Sequence, residues 1–415
     1  MTDVLIVGAG AAGLVCAQDL QRAGIDWQIV EASDAVGGRV RSDHVDGYTL
    51  DRGFQILLTN YPQVNLRLDL PALGLGRFEP GAAVRYRGRM HAFVDPLRRP
   101  LALPESLANP IASPLDKARG AALVADVRAH SARELLHRAD QSTEERLRAA
   151  GFSERFIEAF WRPFFAGIQL DPDLEVSARR FDVILRMLAL GDTGLPREGM
   201  GAVTQMLAEA LDESRIRLDS RVAQLAPRSV TLASGEQLTA RAIVVATDGP
   251  TASALLGGRV DDPGSRAAGC LWFAAPAAPR RGPVLMLEGE GTGPALNVVV
   301  MSEVQPSYAP EGRALIAAAV PGARALDPDL EQQVAAQLAR WFDGAASDFE
   351  LLRRDVIGHG QPRQTPPFDP RRTVRLGEGL YVCGDHRDTA ALQGAMFSGQ
   401  RTATAVLADL AGAGG

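Results

Sequence analysis

Gly8, Gly10 and Gly13 stand as Gly-x-Gly-x-x-Gly directly after the apolar run 4–7, and a stretch with helical spacing follows. Glycines in that order serve phosphate chemistry. The first permits a tight turn, the second lets the backbone approach a pyrophosphate, and the third lets a helix pack closely on a strand. Ala11 and Ala12 lie within that turn, and the first N–H groups and positive dipole end of the helix that follows attract phosphate oxygens. Glu31 lies eighteen residues beyond Gly13 (31 − 13), with Ala32 beside it. A carboxylate at that spacing reaches a ribose hydroxyl and repels a 2′-phosphate, which disfavours NADP. Gly37-Gly38-Arg39 comes next.

These residues need a βαβ frame, and the chain supplies one. Residues 4–7 form a short, two-sided apolar run, as in a central parallel strand. Residues 14–23 follow with Leu14, Ala17 and Leu20 on one helical face, Gly24 stands at the C-cap position, and 25–30 is a second strand ending at Glu31. Further on, 202–211 reads as a helix, 216–218 and 222–225 as strands, 234–235 as a hairpin turn, and 242–247 as another buried strand. Near the end, the strand 379–383 runs into Gly384-Asp385, a loop 386–392, and a helix reaching to about residue 410.

Composition narrows the class. A chain of 415 residues exceeds the ~250–300 residues of one core, so two domains are expected. A net charge of −6 without a basic block disfavours a nucleic-acid partner. Cys16, Cys270 and Cys383 match no zinc spacing, and His44, His91, His130, His137 and His359 are scattered, so no metal is expected. No apolar run reaches the ~18–20 residues of a membrane span, and Met1-Thr2-Asp3 lacks a basic leader. With three unpaired cysteines, a cytoplasmic location is expected. Lys117 is the single lysine among 44 basic residues.

Gly47-Tyr48-Thr49-Leu50-Asp51-Arg52-Gly53 completes a longer pattern: Gly-x-Gly-x-x-Gly, Glu, Gly-Gly-Arg, Gly-x-x-x-Asp-x-Gly. In this the sequence resembles the flavoprotein superfamily of monoamine oxidases, protoporphyrinogen oxidase and carotenoid desaturases. The resemblance implies an α/β fold: a Rossmann-like, glutathione-reductase-like FAD-binding domain with an inserted α+β substrate domain. The FAD domain would comprise 1–75, 196–250 and 365–415, and the substrate domain 76–195 and 251–364. Within the latter, helices are expected from 103 onward, strands at 270–274, 284–287, 296–300 and 314–320, and a helix at 331–342.

The resemblance also implies non-covalent FAD, since the last segment lacks a linking cysteine. Gly53, Phe54 and Gln55, then Val222 and Thr247, would join the glycine turn, Glu31 and Arg39 around it. Gly384 and Asp385 would meet the ribityl chain, and Gly394, Ala395 and Met396 would open a helix aimed at the flavin pyrimidine. Gln55, His386 and Asp388, with Arg52, are the polar candidates beside the flavin.

Amine oxidases of this kind place a lysine near N5 and an aromatic ring before the last helix. Here the ring position holds Ala391-Leu392-Gln393, and Lys117 falls in a helical stretch. The reading is therefore an oxidoreductase taking hydride from a hydrophobic substrate, of carotenoid- or squalene-desaturase or protoporphyrinogen-oxidase type. A flavin amine or amino-acid oxidase is the alternative, with a non-catalytic prenyl-binding carrier behind it. The cluster Phe160-Trp161-Arg162-Pro163-Phe164-Phe165 reads first as a core anchor and second as a tunnel wall. Dioxygen or a quinone would be the electron acceptor. The assignment allows a peripheral membrane contact and a monomer or homodimer.

Overall fold

Thr2–Val7 is a strand whose last four residues are buried on both faces. It pairs in parallel with Trp27–Val30 on one side and Gln237–Val245 on the other. Ile216–Arg217 extends the sheet beyond Trp27–Val30. The far end of Gln237–Val245 pairs in parallel with Leu380–Val382, while its near end turns back onto the antiparallel strands Ser229–Leu232 and Val222–Ala226. Chain segments far apart in sequence thus share one sheet. This computed structural model describes residues 2–94 and 109–412.

Two helices cover one face of that sheet. Ala11–Arg22 buries Leu14, Ala17 and Leu20, the face expected from their spacing. The last helix, Leu392–Gly412, crosses it at Gly399, where a Cβ would lie 2.2 Å from the Ala12 carbonyl oxygen. Gly399 therefore sets how closely the helices approach.

A second sheet has seven strands in the order Glu350–Pro362, Ser265–Ala275, Ala314–Pro321, Asn297–Val300, Met286–Glu288, Gly81–Tyr86 and Arg89–Val94. Its pairs are antiparallel except for Met286–Glu288 with Gly81–Tyr86. Helix Leu330–Phe342 packs Leu330, Val334, Leu338 and Trp341 into its core. Helices Pro114–Ala129 and Ala178–Leu190 build a neighbouring helical layer with a π-helical turn, Ile157–Trp161. Residues 103–108 of the expected helical stretch lie outside the described residues. Leu57–Leu58, Thr193–Leu195 and Gly76–Arg77 form a small separate sheet.

Candidate cofactor and substrate site

The glycine turn is built as its spacing requires. Gly8 has φ +111°, and a Cβ on it would press against the Ala246 carbonyl at 2.9 Å. A Cβ on Gly13 would lie 2.1 Å from the Gly8 carbonyl oxygen. Gly10 differs: a Cβ there would meet no protein atom within 4 Å, because the space above it belongs to a cavity. That open cradle, at the uncapped start of helix Ala11–Arg22, fits a dinucleotide pyrophosphate. Gly37 closes over it by donating its N–H to the Ala9 carbonyl at 2.9 Å.

Glu31 forms the next wall. It accepts from the Ala9 N–H at 2.7 Å, and from the Ser33 N–H and hydroxyl at 2.9 and 2.5 Å. Ala32, Val222 and Thr247 line the same part of the cavity. Glu31→Ala is expected to weaken FAD binding ten- to a hundredfold, about 1.5–3 kcal/mol for a charge-assisted hydrogen bond. Equilibrium titration of the apoprotein with FAD checks this, and unchanged affinity would contradict it.

Arg39 joins three segments. One terminal nitrogen bonds Asp385 at 2.7 Å and the other the Gly360 carbonyl at 2.9 Å. Burial works to raise the Asp385 pKa, but the Arg39 charge and hydrogen bond outweigh it and hold the carboxyl below its ordinary value. Gln55 donates to the Arg39 and Arg52 carbonyls, both at 2.9 Å, fixing the loop that bears Gly53 and Phe54. Asp51 works behind the site. It accepts from Ser42, Met200 and Tyr308, and burial lifts its pKa to about 6.

The cavity, about 1450 Å³, continues from the cradle past Gln55 and Gly384-Asp385 to an apolar end. Ala390, Ala391, Leu392 and Ala395 line it at the start of the last helix, whereas Gly394 and Met396 do not. Gly394 backs onto the Thr389 carbonyl, and Met396 is in the core. His386 also lies outside the lining. It is buried behind the Gly384 turn, both ring nitrogens lack partners, and burial lowers its pKa to about 4. Asp388 turns away to bond Arg401 and the Thr389 N–H, with burial lifting its pKa to about 6. The Gly384 turn therefore brings Asp385 to the cavity and folds His386 behind it.

The aromatic cluster is both core and wall. Phe156, Phe160, Trp161 and Phe164 line the cavity. Phe156 stacks on Phe160 at 5.2 Å and Phe160 on Phe164 at 5.6 Å, as a ladder of rings. Helix Pro114–Ala129 adds Gly120, Ala121, Val124 and Ala125 to the lining. Lys117 also lines this end from its helix, and its ammonium donates to the Asn109 carbonyl at 3.3 Å. Tyr61 in the wall and Arg180 just behind it escaped the sequence reading. Among the described residues, no group of three or more His, Cys, Asp or Glu side chains is arranged to hold a metal ion.

Known proteins resemble this chain in sequence and in fold. Putrescine oxidase of Kocuria rosea is 37% identical over 94 residues, 23% of this chain and 18% of that protein. The zeta-carotene-forming phytoene desaturase of Myxococcus xanthus is 35% identical over 92 residues, 21% of this chain and 18% of that protein. The matches thus span under a fifth of those relatives. An oxidoreductase from Methanosarcina mazei superposes with a TM-score of 0.76 at 17% identity, over 96% of this chain and 99% of that one, and so shares the fold. A family model for flavin containing amine oxidoreductases matches residues 11–407, nearly the whole length, and the chain belongs to that family.

Proposed function

We propose that the protein is an FAD-dependent oxidoreductase that takes hydride from an extended hydrophobic small molecule and passes the electrons to dioxygen or a quinone. The cavity carries this reading. At about 1450 Å³ it exceeds the ~300–1,000 Å³ of an ordinary ligand pocket, leaving room for a dinucleotide and a second molecule. Its distal walls are the Phe156–Phe160–Phe164 ladder and the small residues of helix Pro114–Ala129.

Bound flavin supplies a hydride acceptor. The chain supplies the rest. Gly10, Ala11 and Ala12 would hold its phosphates and Glu31 its ribose, and Arg39, which anchors Asp385, would balance the phosphate charge. Gln55 fixes the loop beside Arg39. The ring ladder orients an apolar substrate and excludes water. A strong base is not required for hydride loss from an activated C–H bond.

An amine oxidase is the second reading, and Tyr61 favours it, since it places a ring in the wall where Ala391 and Leu392 place none. Anaerobic flavin reduction by amines against apolar compounds separates the two. The three thiols Cys16, Cys270 and Cys383 are free and buried, which suits a reducing cytoplasm, and none lines the cavity. FAD should therefore be non-covalent. Acid precipitation is expected to leave the yellow colour in the supernatant, and a coloured pellet would contradict it.

A further inference from the structure

Arg180 carries a charge that its partners leave unbalanced. It sits in the first turn of helix Ala178–Leu190 and is 2% exposed. One terminal nitrogen donates to Gln361 Oε1 at 3.0 Å and to the Ala390 carbonyl at 2.8 Å, and the other has no partner. Among the described residues no carboxylate pairs with it. Asp385 is taken by Arg39 and Asp171 by Arg266. A buried cation without an anion is costly and calls for a function. Burial lowers its pKa to about 10, so it stays protonated at neutral pH.

Its position supplies that function. Both groups it holds, Gln361 and Ala390, line the cavity, and the last helix begins two residues on, at Leu392, with its positive dipole end. We propose that Arg180 provides the positive charge that balances the negative charge gained by the bound flavin on taking a hydride. The hydride brings one proton and an electron pair to N5. The substrate is left a cation short of that hydride, and the ring gains one negative charge with no further proton needed. A substrate carboxylate is a poorer match. Arg180 lies behind Gln361 and Ala390, out of reach of a direct ion pair, while attraction through a low-dielectric wall still acts.

The inference rests on FAD occupying the cradle and is independent of the substrate. Sulfite tests it, because its sulfur lone pair bonds N5 and leaves the ring anionic. In FAD-loaded protein, Arg180→Lys is expected to bind sulfite within ~3-fold of wild type, and Arg180→Gln at least ~30-fold more weakly. Equal affinity in Arg180→Gln would overturn the proposal. So would unchanged sulfite binding with loss of benzoate binding, which would assign the charge to a carboxylate. If Arg180→Gln does not fold, the wild-type protein decides. Reduced by dithionite at about pH 5.5, it should show the spectrum of anionic reduced flavin, and the neutral spectrum would overturn the proposal. Wild-type protein that binds no FAD would instead sink the reading of the cradle.

Discussion

Arg39→Met is expected to cut FAD affinity by ~100-fold or more and to destabilise the apoprotein by about 2–4 kcal/mol at pH 7. The first effect follows from losing the charge beside the Gly10 cradle. The second comes from Asp385, whose side chain is 6% exposed and would keep a buried charge without its cation. The figure is discounted from that of a fully buried pair because 35% of the Arg39 side chain is open. The sign with pH follows. Arg39 holds the Asp385 pKa below its unfolded value, so the pair stabilises the fold above that value and the contribution fades in acid. The deficit of Arg39→Met should therefore shrink as pH falls. Adding Asp385→Asn should recover part of the stability by removing the stranded charge. Urea unfolding of the single and double variants measures both points, and a deficit that ignores pH and Asp385 would contradict the account.

Ala121→Trp should separate cofactor from substrate. Ala121 faces the distal cavity from an exposed position on helix Pro114–Ala129, far in sequence from the glycine turn. An indole there costs the helix under ~1 kcal/mol and takes up space in the cavity that Ala121 lines. FAD affinity should stay within ~3-fold, while flavin reduction by an apolar substrate should fall ~100-fold. Unchanged reduction would mean that the substrate does not lie along this helix.

The site was legible where its demands are local. Gly8 and Gly13 are required by their own turn, and Glu31 ends the strand beside it, so spacing in one βαβ unit reveals all three. Arg39 and Asp385 are 346 residues apart, and only their separate motifs were visible. Arg180 was not legible at all. Its helix starts Ala-Arg-Arg, nothing in the sequence distinguishes Arg180 from its neighbour Arg179, and its missing anion is a tertiary fact. Tyr61 stands before Pro62 and reads as a turn leading into a short helix. Phe156, Phe160 and Phe164 recur every fourth residue, a stripe that looks the same for a core and for a cavity wall. His386 and Asp388 had the right chemistry in the right loop, but the direction of the Gly384 turn decides which residues face inward.

The fold shows the same division. The parallel strands announced themselves by buried β-branched runs. The hairpin of Gly81–Tyr86 and Arg89–Val94 went unread because Arg87 and Gly88, both at positive φ, make its turn where Asn-Gly is the usual signal. Glu350–Pro362 hides its strand among charges, since most of its residues are only half-buried.

Anaerobic mixing tests the central claim most directly. FAD-loaded protein is combined, without dioxygen, with extended isoprenoids and reduced tetrapyrroles on one side and with benzylamine and spermine on the other. The flavin's visible absorption is then followed. The account predicts bleaching by a member of the apolar set and none by the amines. Rapid bleaching by benzylamine or spermine, with none by the apolar set, would contradict it and establish the amine oxidase.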